Sequence, residues 1–133
     1  MSKIVLVGNA PIDKEIGKEI DSHDIVVRFN KYRTEGYESV VGEKTDIWVS
    51  CGDYADVNTA EFKEVWIPIA HNLHGVAFYQ DVMRLFKGND FENLTFIPKS
   101  FCDDVAKKVG YKHRWPSTGL IAIEWALKKF GEV

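Results

Sequence analysis

Three short polar stretches of the sequence combine residue types that can hold an anion. Gly8-Asn9 follows the apolar run Ile4–Val7 and precedes a helical pattern, so it joins a strand to a helix start. Backbone N–H groups at such a turn point outward beside the partly positive helix end, and glycine lets a ligand approach the main chain. Taken alone, the pair is more simply a tight turn with a capping asparagine, since it fits neither a P-loop nor a GxGxxG pattern.

The second stretch is the end of the run Ile25–Phe29, which Asn30 follows directly. Open α/β sheets place ligand-binding side chains just beyond the carboxyl ends of their strands. Because consecutive parallel strands tend to be neighbours, we expect Asn9 and Asn30 to face one crevice. An asparagine that satisfies the backbone of a loop is an equally good interpretation of the pattern.

The third stretch, Pro116-Ser117-Thr118-Gly119, opens the last predicted helix, over Leu120–Phe130. It offers hydroxyls, unpaired N–H groups and a glycine, which together suit a phosphate or a ribose. By itself this stretch is better interpreted as a plain N-cap. A second helix start of this kind in one small domain nevertheless favours a nucleotide monophosphate as the ligand.

The histidines and the acidic pair are weaker candidates for chemistry. His113 lies just before the third stretch and would be near a bound phosphate, although a loop histidine without a function is the simpler interpretation. His71 and His74 have the spacing of a metal-binding pair, but no third ligand is near them in the sequence, so no metal is expected. Asp103-Asp104 fits a solvated helix face better than a pair of catalytic carboxylates.

Apolar runs and helical patterns alternate along the chain and predict the elements that carry these stretches. Runs rich in β-branched residues predict strands at Lys3–Val7, Ile25–Phe29, Ile47–Ser50, Val65–Ala70 and Leu94–Ile97. Helical spacing predicts helices after a capping Asn9 with Pro11 in the first turn, over Val76–Phe86, over Phe101–Val109 with Ser100 as its cap, and over Leu120–Phe130. This alternation predicts an α/β fold: a three-layer α/β/α sandwich around a mainly parallel, Rossmann-like sheet.

Length and composition fit one domain with an ordinary core. The chain has 133 residues and a net charge of -3 at pH 7, which gives no attraction toward nucleic acid or an anionic membrane. No apolar run near the start is long enough for a signal peptide or a membrane span, so a cytoplasmic location is the default expectation. Cys51 and Cys102 lack metal-binding spacing, and we expect both to be buried thiols.

Taken together, these residues resemble the eukaryotic-type sialyltransferase family (glycosyltransferase family 29). Residues 4–50 resemble its long donor-binding motif, through Val7-Gly8-Asn9, Ile20-Asp21, His23-Asp24, Arg28-Phe29-Asn30, Thr34, Gly36-Tyr37-Glu38, Val41-Gly42 and Lys44-Thr45. Residues 116–133 resemble its short motif, through Pro116-Ser117-Thr118-Gly119-Leu120, Ala126-Leu127 and Glu132-Val133. The motifs occur in the family's order and cover about half the chain.

The resemblance implies a CMP-sugar donor, carrying sialic acid or a related keto-sugar acid, and a glycan acceptor. Carried over to this chain, Asn9 and Asn30 hold the phosphate and the ribose beside Gly8, while Ser117–Gly119 hold the cytidine and the phosphate. Family members work by inversion and without a metal. That is physically sensible, because CMP leaves as a phosphate monoester that helix starts and amides can stabilise.

Two departures from the family pattern stand out. In the family, a cysteine of the long motif pairs with one of the short motif, and Ile4 and Phe130 stand at those positions here. Apolar packing in place of the bridge fits a reducing compartment and a bacterial or viral cytosolic relative. The family's catalytic histidine, the base for the acceptor hydroxyl, would lie beyond Val133, so residues 1–133 are expected to form a single donor-binding domain. The base is then either supplied by further residues or replaced, with His113 as the best available substitute.

The sequence leaves two functions open, and a third possibility is that the chain has no ligand at all. The first is an enzyme that transfers a sugar acid from its CMP donor to a glycan hydroxyl. The second is a decayed relative that binds CMP or a CMP-sugar and catalyses nothing. The third is an α/β scaffold that has kept the fold and lost the ligand. A histidine after one more strand in a longer natural chain would favour the enzyme.

Overall fold

The computed structural model describes residues 3–50, 61–68, 93–110, 116–131 and 133. Within these residues the strands form one five-stranded sheet in the order β1-β2-β3-β4-β5, and all neighbours are parallel. The strands are β1 (Ile4–Val7), β2 (Ile25–Phe29), β3 (Ile47–Val49), β4 (Glu64–Pro68) and β5 (Leu94–Ile97). The helices are α1 (Gly17–Asp21), α2 (Glu38–Val41), α3 (Lys99–Lys108) and α4 (Thr118–Phe130). The predicted strands and the parallel α/β class are confirmed.

The strands are mostly apolar because the side chains of their central residues are buried, as β2 shows on both of its faces. In β2, Val27 and Phe29 belong to a hydrophobic cluster that includes residues of α3 and α4, whereas Val26 packs with Ile20 of α1. We call the first group the α4-side cluster; its buried members are Ile4, Val27, Phe29, Ile47, Val49, Trp66, Ile97, Cys102, Ile121, Ala122 and Ala126. Among the described strands the order shows no reversal of the kind that divides a Rossmann sheet. The three-layer, Rossmann-like arrangement therefore stays a prediction.

The helix predicted after Asn9 is much shorter than its isoleucine spacing indicated. α1 spans only Gly17–Asp21, and Asn9 does not cap it, because its Nδ2 donates to the Phe29 carbonyl at 2.9 Å. Of the periodic isoleucines, Ile20 is buried and Ile16 is only partly so. The apolar stripe meets the core in its last part alone, and without burial the earlier residues gain little from a helix.

The two later helices begin close to where the sequence placed them. α3 starts at Lys99 with Pro98 as its N-cap, so Ser100 lies inside the helix rather than capping it. α4 starts at Thr118, and Ser117 is its N-cap, as predicted. The helix predicted at Val76–Phe86 lies outside the described residues.

α1 and α2 approach each other so closely that only glycine fits between them. A Cβ added to Gly17 would lie 2.0 Å from the Glu38 carbonyl oxygen and 2.9 Å from the Gly42 nitrogen. The Asp21 carboxylate reinforces this contact, since its Oδ2 accepts from the Glu43 N–H at 2.9 Å and its Oδ1 from the Lys44 N–H at 3.0 Å. The end of α1 is thereby fixed to the loop that leads into β3.

We expect Gly17→Ala to lower the free energy of unfolding by about 1–3 kcal/mol, because the new methyl group overlaps main-chain atoms of α2. Urea unfolding followed by circular dichroism measures the change. Gly8→Ala is the matched control: nothing lies within 4 Å of its added Cβ, so its effect should stay within about 0.5 kcal/mol. Equal losses in the two variants would contradict the close contact between the helices.

Candidate functional site

Gly8-Asn9 and Asn30 lie side by side at the carboxyl edge of the sheet. β1 and β2 are parallel neighbours with Val7 opposite Arg28, so the residues that follow each strand emerge together. The Asn9 Nδ2 donates to the Phe29 carbonyl at 2.9 Å and joins the two strand ends. The predicted adjacency of Asn9 and Asn30 is confirmed at the level of the strands that carry them.

The main chain at Asn30 makes an abrupt turn out of β2. Asn30 has a φ of 46°, a left-handed conformation that asparagine tolerates better than most residues with a side chain. Its N–H donates to the Val49 carbonyl at 2.8 Å, and its carbonyl accepts from the Trp48 Nε1 at 2.9 Å. Hydrogen bonds from β3 therefore fix the turn on both sides of Asn30.

α4 brings the third polar stretch to the same edge of the sheet. Near the end of α4, Lys129 Nζ contacts the carboxylate of Glu64, the first residue of β4. Phe130 stacks on Trp66, with ring centroids 6.4 Å apart. The end of α4 thus lies at the amino edge of the strands, so the helix runs opposite to them and begins at the carboxyl edge.

At its start, α4 has the geometry of an ordinary N-cap. The Ser117 Oγ accepts a hydrogen bond from the Leu120 N–H at 3.2 Å, which confirms the capping interpretation of this residue. The helix extends for 13 residues with its N–H groups at the carboxyl edge. Thr118 and Gly119 form its first turn there, and a ligand role for Ser117–Gly119 stays a prediction.

A small cavity lies beside Gly8-Asn9. It has a volume of about 150 Å³, and in the described part of the chain it is lined by Gly8, Asn9, Ala10, Arg28, Lys31, Tyr32, Arg33 and Val41. A wider cavity of about 630 Å³ shares residues 31–33 as a wall and adds Thr34 and Glu35. Asn30 leads into this shared wall, although it is not among the lining residues of either cavity.

Arg28 is a residue of the site that the sequence analysis noted only as part of a motif. The residue is 1% exposed, and it donates from Nε to the Lys44 carbonyl at 2.9 Å and from Nη2 to the Val41 carbonyl at 2.7 Å. Burial lowers the pKa of Arg28, while the nearby Asp21 and Tyr32 act in the opposite direction. The signal that could have found it is an arginine inside the otherwise apolar run Ile25–Phe29.

Other polar residues of the long motif lie at the opposite, amino edge of the sheet. Lys44 Nζ donates to the His23 carbonyl at 2.6 Å and to the Asp24 carbonyl at 2.9 Å. The buried Asp46 accepts the Val26 N–H through its Oδ2 at 2.8 Å. These contacts hold the start of β2 and contribute to the fold rather than to a ligand site.

The structure describes some of the remaining candidate residues, and others lie outside the described ranges. Asp103-Asp104 is exposed and Asp103 pairs with Lys99 at 2.7 Å, which confirms the solvated-face interpretation. Cys102 is fully buried in α3, as expected. The following lie outside the described residues: Cys51, His71, His74 and His113. Elsewhere, the described ranges contain no group of three or more His, Cys, Asp or Glu residues that could hold a metal, and no helix long and apolar enough to cross a membrane.

Comparison with known protein families decides the identity of the fold. A profile of glycosyltransferase family 29 (sialyltransferase) matches residues 2–100, which include Gly8, Asn9 and Asn30. The chain belongs to glycosyltransferase family 29. The resemblance inferred from the two motifs is thereby confirmed.

Individual family members agree with this assignment. The CMP-N-acetylneuraminate-beta-galactosamide-alpha-2,3-sialyltransferase 1 of Gallus gallus is 32% identical over 145 residues, which cover 98% of this chain and 42% of that protein. The human beta-galactoside alpha-2,6-sialyltransferase 2 is 50% identical over 44 residues, which cover 33% of this chain and 8% of that protein. The chain therefore spans less than half the length of the first of these relatives.

Solved structures show the same fold. A mammalian sialyltransferase superposes with a TM-score of 0.70 at 22% identity, over 95% of this chain and 50% of that one. A mammalian sialyltransferase in complex with Gal-beta-1-3GalNAc-ortho-nitrophenol superposes with a TM-score of 0.69 at 25% identity, over 95% of this chain and 51% of that one. About half of each solved chain thus has a counterpart here.

We expect Arg28→Met to lower the free energy of unfolding by about 2–4 kcal/mol, because it leaves the Val41 and Lys44 carbonyls without their charged donor. Chemical denaturation measures this loss. Lys107→Met, at an exposed position of α3, is the control and should change stability by less than about 0.5 kcal/mol. A loss at Arg28 no larger than the loss at Lys107 would show that the buried guanidinium does not hold the loop.

Proposed function

We propose that this chain is the donor-binding part of a glycosyltransferase of the sialyltransferase type. In this proposal it transfers a sialic acid or a related keto-sugar acid from a CMP-sugar to a glycan hydroxyl, with inversion. The observation that carries the proposal is the family match over residues 2–100, which contains the strand ends at Asn9 and Asn30. The non-catalytic alternative has no observation of its own in its favour.

The chemistry of the carboxyl edge suits a nucleotide monophosphate. Amide, hydroxyl and backbone N–H groups donate to phosphate oxygens without needing a metal to compensate charge. An asparagine amide has two N–H donors and one acceptor oxygen. The bond from Asn9 to the Phe29 carbonyl therefore fixes the orientation of the amide and leaves its second N–H and its Oδ1 for a ligand.

Transfer with inversion requires the acceptor hydroxyl to attack the anomeric carbon from the face opposite to the phosphate. A base takes the hydroxyl proton, and the bond to CMP breaks with its electron pair moving to the phosphate oxygen. Donors aimed at that oxygen stabilise the leaving group as its charge develops. We assign this role to Asn9 and Asn30 together with the N–H groups at the start of α4, and we propose that no metal takes part.

A reducing location, such as the cytoplasm, is part of the same proposal. Ile4 and Phe130 occupy the positions at which the family's paired cysteines are expected, and both contribute to the α4-side cluster. Apolar burial there stabilises the junction of β1 and α4 without an oxidising environment. Equal unfolding free energies with and without a strong reductant would show that apolar packing, and not a disulfide, stabilises this region.

We expect CMP to raise the thermal midpoint of the protein by several degrees, while UMP, GMP and CDP raise it less. Ligand at about 100 times its dissociation constant adds roughly 2.7 kcal/mol to the stability of a binding-competent native state. Asn30→Gly is the informative variant, because glycine accepts the φ of 46° and removes only the amide. Its CMP-induced shift should fall well below that of the unmodified protein.

A flat response of the unmodified protein to all four nucleotides would contradict the donor site and favour the bare scaffold. Transfer is tested separately, by CMP release from CMP-sialic acid in the presence of a galactoside acceptor. Selective CMP binding without acceptor-dependent release would favour the non-catalytic module.

A further inference from the structure

The small cavity beside Gly8-Asn9 is lined by positively charged side chains, although the protein as a whole is negatively charged. Its lining contains the cations Arg28, Lys31 and Arg33, and none of its lining residues in the described part of the chain is acidic. The chain as a whole has a net charge of -3. Clefts lined by one sign of charge concentrate ligands of the opposite sign, so this cavity favours an anion on an otherwise acidic protein.

The segment that carries two of these cations is anchored before and after them. The Asn30 peptide groups are bonded to β3, and the Thr34 carbonyl accepts from the Tyr37 N–H at 2.9 Å. Between these points the Tyr32 side chain packs against a hydrophobic cluster of Trp48, Val65 and Ile67. A segment held in this way positions its exposed side chains at a lower entropic cost than a mobile loop does.

Arg28, which also lines the small cavity, contacts the Tyr32 side chain of this segment. Its guanidinium carbon lies 5.9 Å from the centre of the Tyr32 ring, within the range of a cation–π interaction. Because two of its donors are bonded to main-chain carbonyls, Arg28 is held in one position. Asp21 Oδ1 lies 3.9 Å from its Nη2 and partly balances its charge, so the remaining cations of the described lining are Lys31 and Arg33. Lys31 and Arg33 are exposed beside it, at the wall shared with the wider cavity. Glu35 lines the wider cavity but not the small one, so the anion is expected on the side of the small cavity.

We propose that Lys31 and Arg33 form an anion subsite that takes an oxyanion of the donor. The donor in the proposed function carries two such groups, the phosphate and the carboxylate of the sugar acid, and the identity of the ligand rests on that function. The planar guanidinium of Arg33 suits paired hydrogen bonds to either oxyanion, and Lys31 adds a point charge. The predicted donor site consists of amide, hydroxyl and backbone groups without a charged side chain. The subsite would add positive charge beside it.

Titration calorimetry at low and at physiological salt tests this subsite with four probes: CMP, free N-acetylneuraminic acid, cytidine and inorganic phosphate. We expect Lys31→Ala and Arg33→Ala each to weaken the affinity for an anionic probe about 5- to 10-fold, less at higher salt, and to leave cytidine unaffected. Lys107→Ala removes the same charge from an exposed position that lines neither cavity and should change nothing. All three positions are exposed, so folding should be preserved.

The probes separate the two oxyanions and the two proposals. A loss confined to CMP and phosphate assigns the subsite to the phosphate, and a loss confined to the sugar acid assigns it to the carboxylate; either supports it. Phosphate binding that depends on Lys31 and Arg33, without any response to CMP or the sugar acid, would keep the subsite and contradict the donor. Unchanged affinities in both variants, or no anion binding by the unmodified protein, would overturn the subsite.

Discussion

The buried guanidinium of Arg28 is the contact on which the rest of this domain depends. A charge placed inside a sheet is costly unless it is hydrogen-bonded and paired, and here the carbonyls of Val41 and Lys44 accept from Arg28 while Asp21 lies 3.9 Å from its Nη2. These carbonyls belong to the connection between β2 and β3, so the arginine fixes that connection against the sheet. The same side chain lines the cavity at the carboxyl edge. Structural support and local electrostatics therefore come from one residue.

The long motif divides its residues between the two edges of the sheet. At the amino edge, Lys44 and Asp46 bind main-chain groups and hold the start of β2. At the carboxyl edge, Gly8-Asn9 and Asn30 follow neighbouring strands and lie near the cavities. A parallel sheet produces this division because all of its strands end on the same side. Several residues of the motif thus contribute to the fold, and others lie at the edge where the proposed donor would bind.

The sequence was sufficient for features that depend on local pattern. Apolar runs predicted the strands. Asn9 and Asn30 were predicted to be neighbours because each follows the end of a strand, and these strands are adjacent and parallel. The predicted length of α1 was wrong, because the spacing of the isoleucines shows that they share one face but not whether that face is buried. Arg28, Lys31 and Arg33 are close together in the sequence, but their place in one cavity with Gly8 and Asn9 depends on the pairing of β1 with β2. From the sequence alone, basic residues after a strand are typical of a solvated surface.

The left-handed turn at Asn30 limits the side chains that this position can carry. Glycine would satisfy the backbone but lose the amide, whereas glutamine would keep an amide but pay a conformational penalty of about 1 kcal/mol or more at a φ of 46°. Asparagine adopts this φ more readily than most residues with a side chain, and it brings an amide donor and acceptor to the carboxyl edge of the sheet. The backbone geometry of the turn therefore restricts which side chains can stand at this point of the edge, and it does so before any ligand is considered.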